Sequence, residues 1–237
     1  MPKPYIPNDH WSRRAQAEGY RARSVYKLME LDQRFHLLQP GITVLDLGAA
    51  PGSWLQYAAK RVGPTGLVIG VDTEAIAPVG ANAITLHRDI TNIEEVVASV
   101  QRAIEKRRPL SSESSHSGPA FGSEEPSGSE REGPSGPRTA GSSESCRVDL
   151  VLSDAAPQTS GIKDIDQWRS LELGYAVLGI ATKVLRRGGT CVLKVFRGAD
   201  FDAFLKDVRR EWRSVRLVTV KASRDRSREV YLVTKTL

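Results

Sequence analysis

Five apolar runs alternate with amphipathic stretches along the chain, and this alternation limits the possible folds more than any other feature of the sequence. The runs TVLDLG (Thr43 to Gly48), LVIGVD (Leu67 to Asp72), ITLHRD (Ile84 to Asp89), VDLVLSD (Val148 to Asp154) and TCVLKVF (Thr190 to Phe196) read as strands. Apolar residues at consecutive positions suit strands covered on both faces. Between them Ser53 to Arg61, Ile93 to Lys106 and Asp166 to Arg186 have helical spacing, and Asp200 to Trp212 follows as another helix. Such alternation predicts a parallel sheet with helices on both faces. At the end of the chain SVRLVTVKA and SREVYLVTKTL have no helix between them. They predict a terminal antiparallel pair at the sheet edge, giving a seven-stranded, mostly parallel α/β architecture.

The 237 residues suit one substantial core, so a single domain over 1–237 is expected. Residues from about Pro109 to Ser145 are Ser, Gly, Pro and Glu with almost nothing to bury, and are expected to be a disordered insertion. Strand patterns on both sides of it indicate that it interrupts the domain without dividing it. A formal charge of +6 leans toward an anionic partner, nucleic acid being commonest. Cys146 and Cys191 have no metal-ligand spacing, so neither a disulfide framework nor a metal site is expected. No apolar stretch approaches the roughly 18 residues that span a bilayer, and the opening residues lack a signal-like apolar core. The expected setting is the cytoplasm, with no membrane contact and a monomeric state.

One residue breaks the strand logic. Lys194 stands inside CVLKVF, where an ammonium is costly to bury without a partner. A lysine snorkelling from the strand end into solvent is one explanation, and a buried functional amine is the other.

In open sheets of this kind ligands bind beyond the carboxyl ends of the strands, where the loop DLGAAPGSW leaves the first strand. Gly48 and Gly52 let its backbone turn and approach a ligand, and a helix N-terminus follows. The G-x-G-x-x-G dinucleotide fingerprint is absent, which favours a nucleoside ligand without a pyrophosphate. Asp72 ends the second strand, where it can accept ribose hydroxyls, and Asp89 ends the third, where it can accept an exocyclic amine. Any one of them is equally explained as a polar strand end or helix cap. With Asp46 they make three acidic strand ends, an arrangement that suits S-adenosylmethionine.

The N-terminal segment, residues 1–40, carries Arg13, Arg14, Arg21, Arg23 and Lys27 interleaved with Trp11, Tyr20 and Tyr26. Cations for phosphates and flat rings for bases fit an RNA surface, although a helix packing its aromatics inward would read similarly. Arg197, Arg224, Arg226 and Arg228 extend this basic rim.

The blocks RARSVYKLMEL, DLGAAPGSW, VLSDAAPQTSG, VLKVFRG and SRSREVYLV occur in that order and closely resemble the FtsJ/RlmE family of S-adenosylmethionine-dependent RNA ribose 2′-O-methyltransferases. The resemblance covers about Tyr20 to Thr236 except the Ser-rich insertion. It implies a Rossmann-like class I methyltransferase fold and a Lys-Asp-Lys-Glu catalytic tetrad of Lys27, Asp154, Lys194 and Glu229. It also implies cofactor contacts from Gly52, Trp54, Asp72, Asp89 and Asp154. Ser53 stands where many relatives have a second glycine, and DAAP replaces the commoner DMAP. Among relatives, a chain this compact most resembles those that methylate a uridine in the A-loop of 23S ribosomal RNA within the large subunit. Relatives acting on tRNA use the same tetrad. A catalytically silent RNA-binding assembly factor is a further alternative, against which the intact tetrad counts.

In such a transfer the sulfonium methyl is already electrophilic and the ribose hydroxyl is the weak partner. Lys194 serves as a base only when neutral, and a free lysine with a pKa of about 10.4 is almost wholly charged at neutral pH. The alternative is that it stays charged and positions the hydroxyl while the proton leaves through Asp154 or water.

Overall fold

The computed structural model describes residues 10–107, 147–157, 160–223 and 228–236, so the 109–145 insertion, Cys146, Arg224 and Arg226 lie outside the described residues. Each of the five runs forms a strand: β1 (Thr43–Leu47), β2 (Leu67–Asp72), β3 (Ala83–His87), β4 (Val148–Ser153) and β5 (Leu185–Phe196). They join β6 (Ser214–Val218) and β7 (Glu229–Lys235) in one sheet of order β3-β2-β1-β4-β5-β7-β6. Pairings among β1 to β5 are parallel, whereas β7 is antiparallel to both β5 and β6.

The terminal pair does not simply add in chain order. The last strand, β7, inserts beside β5, and β6 takes the edge. Side-chain pattern explains the choice. VYLVT in β7 is apolar or uncharged at every position and is buried throughout, which requires a neighbour on each side. SVRLV in β6 alternates, and its Ser214 and Arg216 are exposed, as an edge strand tolerates.

Helices α1 (His10–Ala17) and α2 (Val25–Phe35) form in the N-terminal segment. α3 (Ser53–Val62), α4 (Ile93–Arg107), α5 (Lys163–Val184) and α6 (Phe201–Glu211) follow the expected helical stretches. α5 ends earlier than its spacing suggests, because Leu185 is already extended and the chain passes directly into β5. The sheet divides the core. Leu45, Leu47, Val151 and Leu193 pack toward α4, α5 and α6, while Val44, Leu152, Val192 and Tyr231 pack toward α2 and α3.

α2 carries Lys27, so its seating fixes half of the site described below. Val25, Leu28 and Leu31 give it a buried stripe, and Asp32, only 4% exposed, pins its far end. The Asp32 carboxylate accepts from the Leu38 amide at 2.8 Å, the Tyr57 hydroxyl at 3.0 Å and Arg61 Nε at 3.2 Å. Tyr57 and Arg61 both belong to α3, so Asp32 ties α2 to the helix that follows the glycine loop. Asp32→Ala leaves these donors without their acceptor and is expected to cost about 2 kcal/mol, less than a fully buried pair because Arg61 is half exposed. Urea unfolding measures it, and unchanged stability would mean that apolar contacts alone seat α2.

Candidate active site

Strand alternation determines what faces the α2 side at the end of β5. Lys194 pairs with Tyr231 of β7 and Phe196 with Glu229, so Lys194, Tyr231 and Glu229 converge near one strand end. α2 brings Lys27 from above, and Asp154 follows the last residue of β4. The four residues implied by the resemblance therefore meet, although they lie up to 202 positions apart in sequence.

Lys194 Nζ donates to the Asp154 backbone carbonyl at 2.6 Å and lies 3.0 Å from its carboxylate Oδ1. Lys27 Nζ lies 2.9 Å from Glu229 Oε2 and 3.5 Å from Asp154 Oδ1. A weaker contact of 4.0 Å joins Lys194 to Glu229. Both lysines are buried, at 8% and 7% exposed, so solvent does not carry their charge. The snorkelling explanation for Lys194 does not hold, because its head turns inward onto Asp154.

Burial works against ionising Asp154, but the ammonium groups of Lys194 and Lys27 and the Tyr231 hydroxyl outweigh it and hold its pKa below the usual carboxylate value. Glu229 behaves likewise: burial raises its pKa, and Lys27 and then Lys194 bring it below normal. With folded pKa values depressed, these carboxylates contribute stability that is fully present above their unfolded pKa values of ~4. It is lost as the pH falls through the lowered folded values.

Two members of the network carried no recognisable signal. The Tyr231 hydroxyl donates to Asp154 Oδ1 at 2.6 Å, and its ring stacks on Trp54 at 6.1 Å. Burial, followed by the charges of Asp154 and Glu229, pushes the Tyr231 pKa well above normal, so the phenol remains a donor. Ser223 Oγ donates to Glu229 Oε2 at 3.0 Å. The pairing of Lys194 with Tyr231, the fourth residue of REVYLV, places the phenol in the network, and it requires the β5–β7 register.

Next to the tetrad, beyond the carboxyl ends of β1, β2 and β4, is a cleft of about 550 Å³ whose lining includes Gly48, Asp72, Asp89, Asp154 and Ala155. Asp72 Oδ2 accepts from the Ala50 amide at 2.9 Å and Oδ1 from the Glu74 amide at 2.9 Å, so it braces the glycine loop against the loop after β2. Asp89 Oδ1 accepts from Thr91 through both amide and hydroxyl, as a turn ahead of α4 requires. Gly48 has φ +75°, and a Cβ there would come within 2.5 Å of Ala155 Cβ. That close approach lets the β1 and β4 loops meet at the cleft wall.

Asp46, Gly52 and Trp54 do not line this cleft. Asp46 is 1% exposed within β1 rather than at its end, and its Oδ2 has no partner. Burial, then the charges of Asp154 and Asp72, raise its pKa well above normal. Gly52 has φ +103° at the start of α3, packed under Arg21 and Ile76. Trp54 Nε1 donates to the Ser24 carbonyl at 2.8 Å, and Ser53 Oγ meets Ser24 Oγ at 2.9 Å. Ser53 thus helps to dock the segment leading into α2.

The expected RNA arginines divide. Arg21 donates to the carbonyls of Pro51, Ala77 and Pro78 at 3.1, 2.8 and 2.8 Å, and so clamps the glycine loop to the loop after β2. Arg23 donates to the Ala222 carbonyl at 2.7 Å. Arg14 pairs with Glu18 at 2.7 Å, its guanidinium 4.8 Å from the Tyr26 ring. Arg13 and Arg197 are exposed, the latter with its guanidinium 5.7 Å from the Phe201 ring centroid.

Known proteins share the family and the fold. The FtsJ-like methyltransferase family model matches residues 20–237. A ribosomal RNA large subunit methyltransferase E from Methanothrix thermoacetophila is 39% identical over 229 residues, covering 97% of this chain and 72% of that protein. The protein of the same description from Syntrophobacter fumaroxidans is 38% identical, covering 97% and 95%. Among solved structures, a Plasmodium falciparum protein described as a ribosomal RNA methyltransferase superposes with a TM-score of 0.67 at 23% identity, over 92% of this chain and 98% of that one. The last likeness is one of fold.

The Tyr231–Asp154 bond yields a measurable consequence. Tyr231→Phe removes a donor to the ionised carboxylate, so the Asp154 titration midpoint is expected to rise, at a stability cost of about 1 kcal/mol. Carboxyl carbon NMR titration reads the midpoint, and an unmoved value would deny Tyr231 any hold on Asp154.

Proposed function

The chain belongs to the FtsJ-like methyltransferase family, and we propose that it methylates the ribose 2′-hydroxyl of a uridine in the A-loop of large-subunit ribosomal RNA, with S-adenosylmethionine as donor. The observation that carries the reading is the buried Lys194 amine, held 3.0 Å from Asp154, a residue that itself lines the cleft.

S-adenosylmethionine supplies a methyl group on a sulfonium that needs no further activation. The cleft is within the size range of small-molecule sites, and its carboxylates suit a ligand bearing an amine, ribose hydroxyls and a positive sulfur. Asp72 and Asp89 would hold the nucleoside end, with Gly48 keeping the wall free of a side chain. The amide end of α3, whose first turn contains Ser53 and Trp54, suits a carboxylate. Asp46 lies beneath this wall, where burial and the charges of Asp154 and Asp72 favour its neutral form.

Lys194 steers the hydroxyl. Its ammonium donates to the Asp154 carbonyl and is ion-paired with the Asp154 carboxylate, and a remaining hydrogen would be donated to the ribose oxygen. As the oxygen forms its new bond to carbon, its own hydrogen becomes strongly acidic. As this happens Lys194 would pass one of its protons to Asp154 across the 3.0 Å contact. The lone pair so freed would take the ribose proton while the methyl group leaves sulfur for oxygen, so the net proton comes to rest on Asp154. The lowered pKa of Asp154 makes the neutral pair a minor species at rest, so the relay belongs to the moment of bond formation. Lys27 and Glu229 keep the other side of the network fixed.

The enzyme acts as a monomer in the cytoplasm, where large subunits mature. No described helix is long and apolar enough to cross a membrane. Incubation with methyl-labelled cofactor tests the whole reading: label is expected in isolated large subunits, and Lys194→Ala is expected to reduce it by a factor on the order of 10³ while still binding cofactor. Label in tRNA instead would reassign the substrate. No label in any RNA, or near-normal transfer by Lys194→Ala, would defeat the proposal.

A further inference from the structure

At the opposite end of β5 and β7 from the tetrad, on the same face of the sheet, is a second cavity of about 480 Å³. Its cations are Arg34 and His36 from the end of α2, Arg186 and Lys235 from β5 and β7, and Arg216 from β6. His36 is cationic only in its protonated form. One carboxylate, Asp149, lines it, and that group already accepts from the Thr43 amide and from Arg186. Arg216 and Lys235 are exposed and have no ion-pair partner among the described residues.

Sheet register makes this an unfavourable place for cations to gather. Ser214 is opposite Lys235 and Arg216 is opposite Val233, so Arg216 and Lys235 are diagonal neighbours on one face of an antiparallel pair. Like charges so placed repel, and a concave wall concentrates their field. A bound anion relieves that cost. Arg34 also lines a neighbouring groove with Arg14 and Lys221, in which Glu30 is the one carboxylate, 3.9 Å from Arg34. Along β7 the cavity lies four residues below Tyr231, a rise of about 13 Å. A strand seated at the tetrad needs only a few more nucleotides to reach it.

We propose that this cavity is a second contact for the phosphate backbone of the substrate RNA, remote from the methylated nucleotide. The inference rests on the RNA-methylating reading of the tetrad and adds to it a preference for extended or folded RNA over a short oligonucleotide.

The test compares wild type with the double variant Arg216→Glu, Lys235→Glu by binding to large-subunit ribosomal RNA over a range of salt concentrations. The variant is expected to bind on the order of tenfold more weakly, with a salt slope lower by roughly two, one for each lost phosphate contact. Cofactor affinity and kcat should be unchanged while KM for the RNA rises. Arg102→Glu with Lys106→Glu, on exposed positions of α4 across the sheet, controls for net charge and should leave the slope near wild type. Should the reversed pair fail to fold, Arg216→Gln with Lys235→Gln gives the same readout with a smaller effect. An unchanged slope and affinity, an equal loss in the α4 control, or a wild type that binds no RNA overturns the inference. Normal binding by a wild type that transfers no methyl group defeats the functional reading alone.

Discussion

The Asp154 carboxylate is the point on which the site depends. Its Oδ1 lies within 3.0 Å of Lys194, 3.5 Å of Lys27 and 2.6 Å of the Tyr231 hydroxyl, and its backbone carbonyl holds Lys194 a second time. Asp154 also borders the cleft, so the residue that orients the amine belongs to the wall against which the methyl donor is held. A displacement of β4 would therefore move amine and cleft together. Their relative geometry depends on the β4–β5 pairing, which extends to Ser153 and Leu193, next to the two residues concerned.

Two structural ties bring the remaining members to Asp154. β7 reaches past β6 to pair with β5, which places Glu229 and Tyr231 beside Lys194. α2 is held on α3 through Asp32 and on the turn after β6 through Glu30 and Arg34, which accept from the Lys221 amide and donate to the Thr219 carbonyl. These ties come from opposite ends of the chain. The tetrad thus forms only when the first described helices and the last strand are both seated on the parallel sheet.

Much of this was legible in the sequence because it follows from local pattern. Continuous apolar runs gave strands whose carboxyl ends fall within two residues of Asp72, Asp89 and Asp154, and the misplaced Lys194 marked the site before any geometry was known. What escaped depended on long-range register or on hydrogen bonding by side chains. Tyr231 looked like one more aromatic in an apolar strand until pairing put it opposite Lys194. Arg21 looked like a free cation, although its guanidinium bonds three backbone carbonyls that composition does not reveal. Asp46 read as another acidic strand end, yet β1 continues past it and leaves the carboxyl within the core.

The charge balance of the tetrad explains why so much polarity is tolerated beside a hydrocarbon core. Two ammonium groups face two carboxylates, so the buried group is neutral overall, and each carboxylate is held in its charged form by the lysines. Asp46 supplies the contrast within the same wall: without an ammonium partner and with two carboxylates as neighbours, it favours the neutral form. Neutrality has a chemical use as well. A proton moved from Lys194 to Asp154 changes two formal charges but not their sum, so the surrounding low dielectric opposes it less than it would oppose creating a lone ion. The same balance means that deleting one lysine leaves a carboxylate buried without its counter-charge, and the consequence falls on stability as well as on turnover. Separating the two effects requires that cofactor binding and unfolding be followed alongside methyl transfer in every tetrad variant.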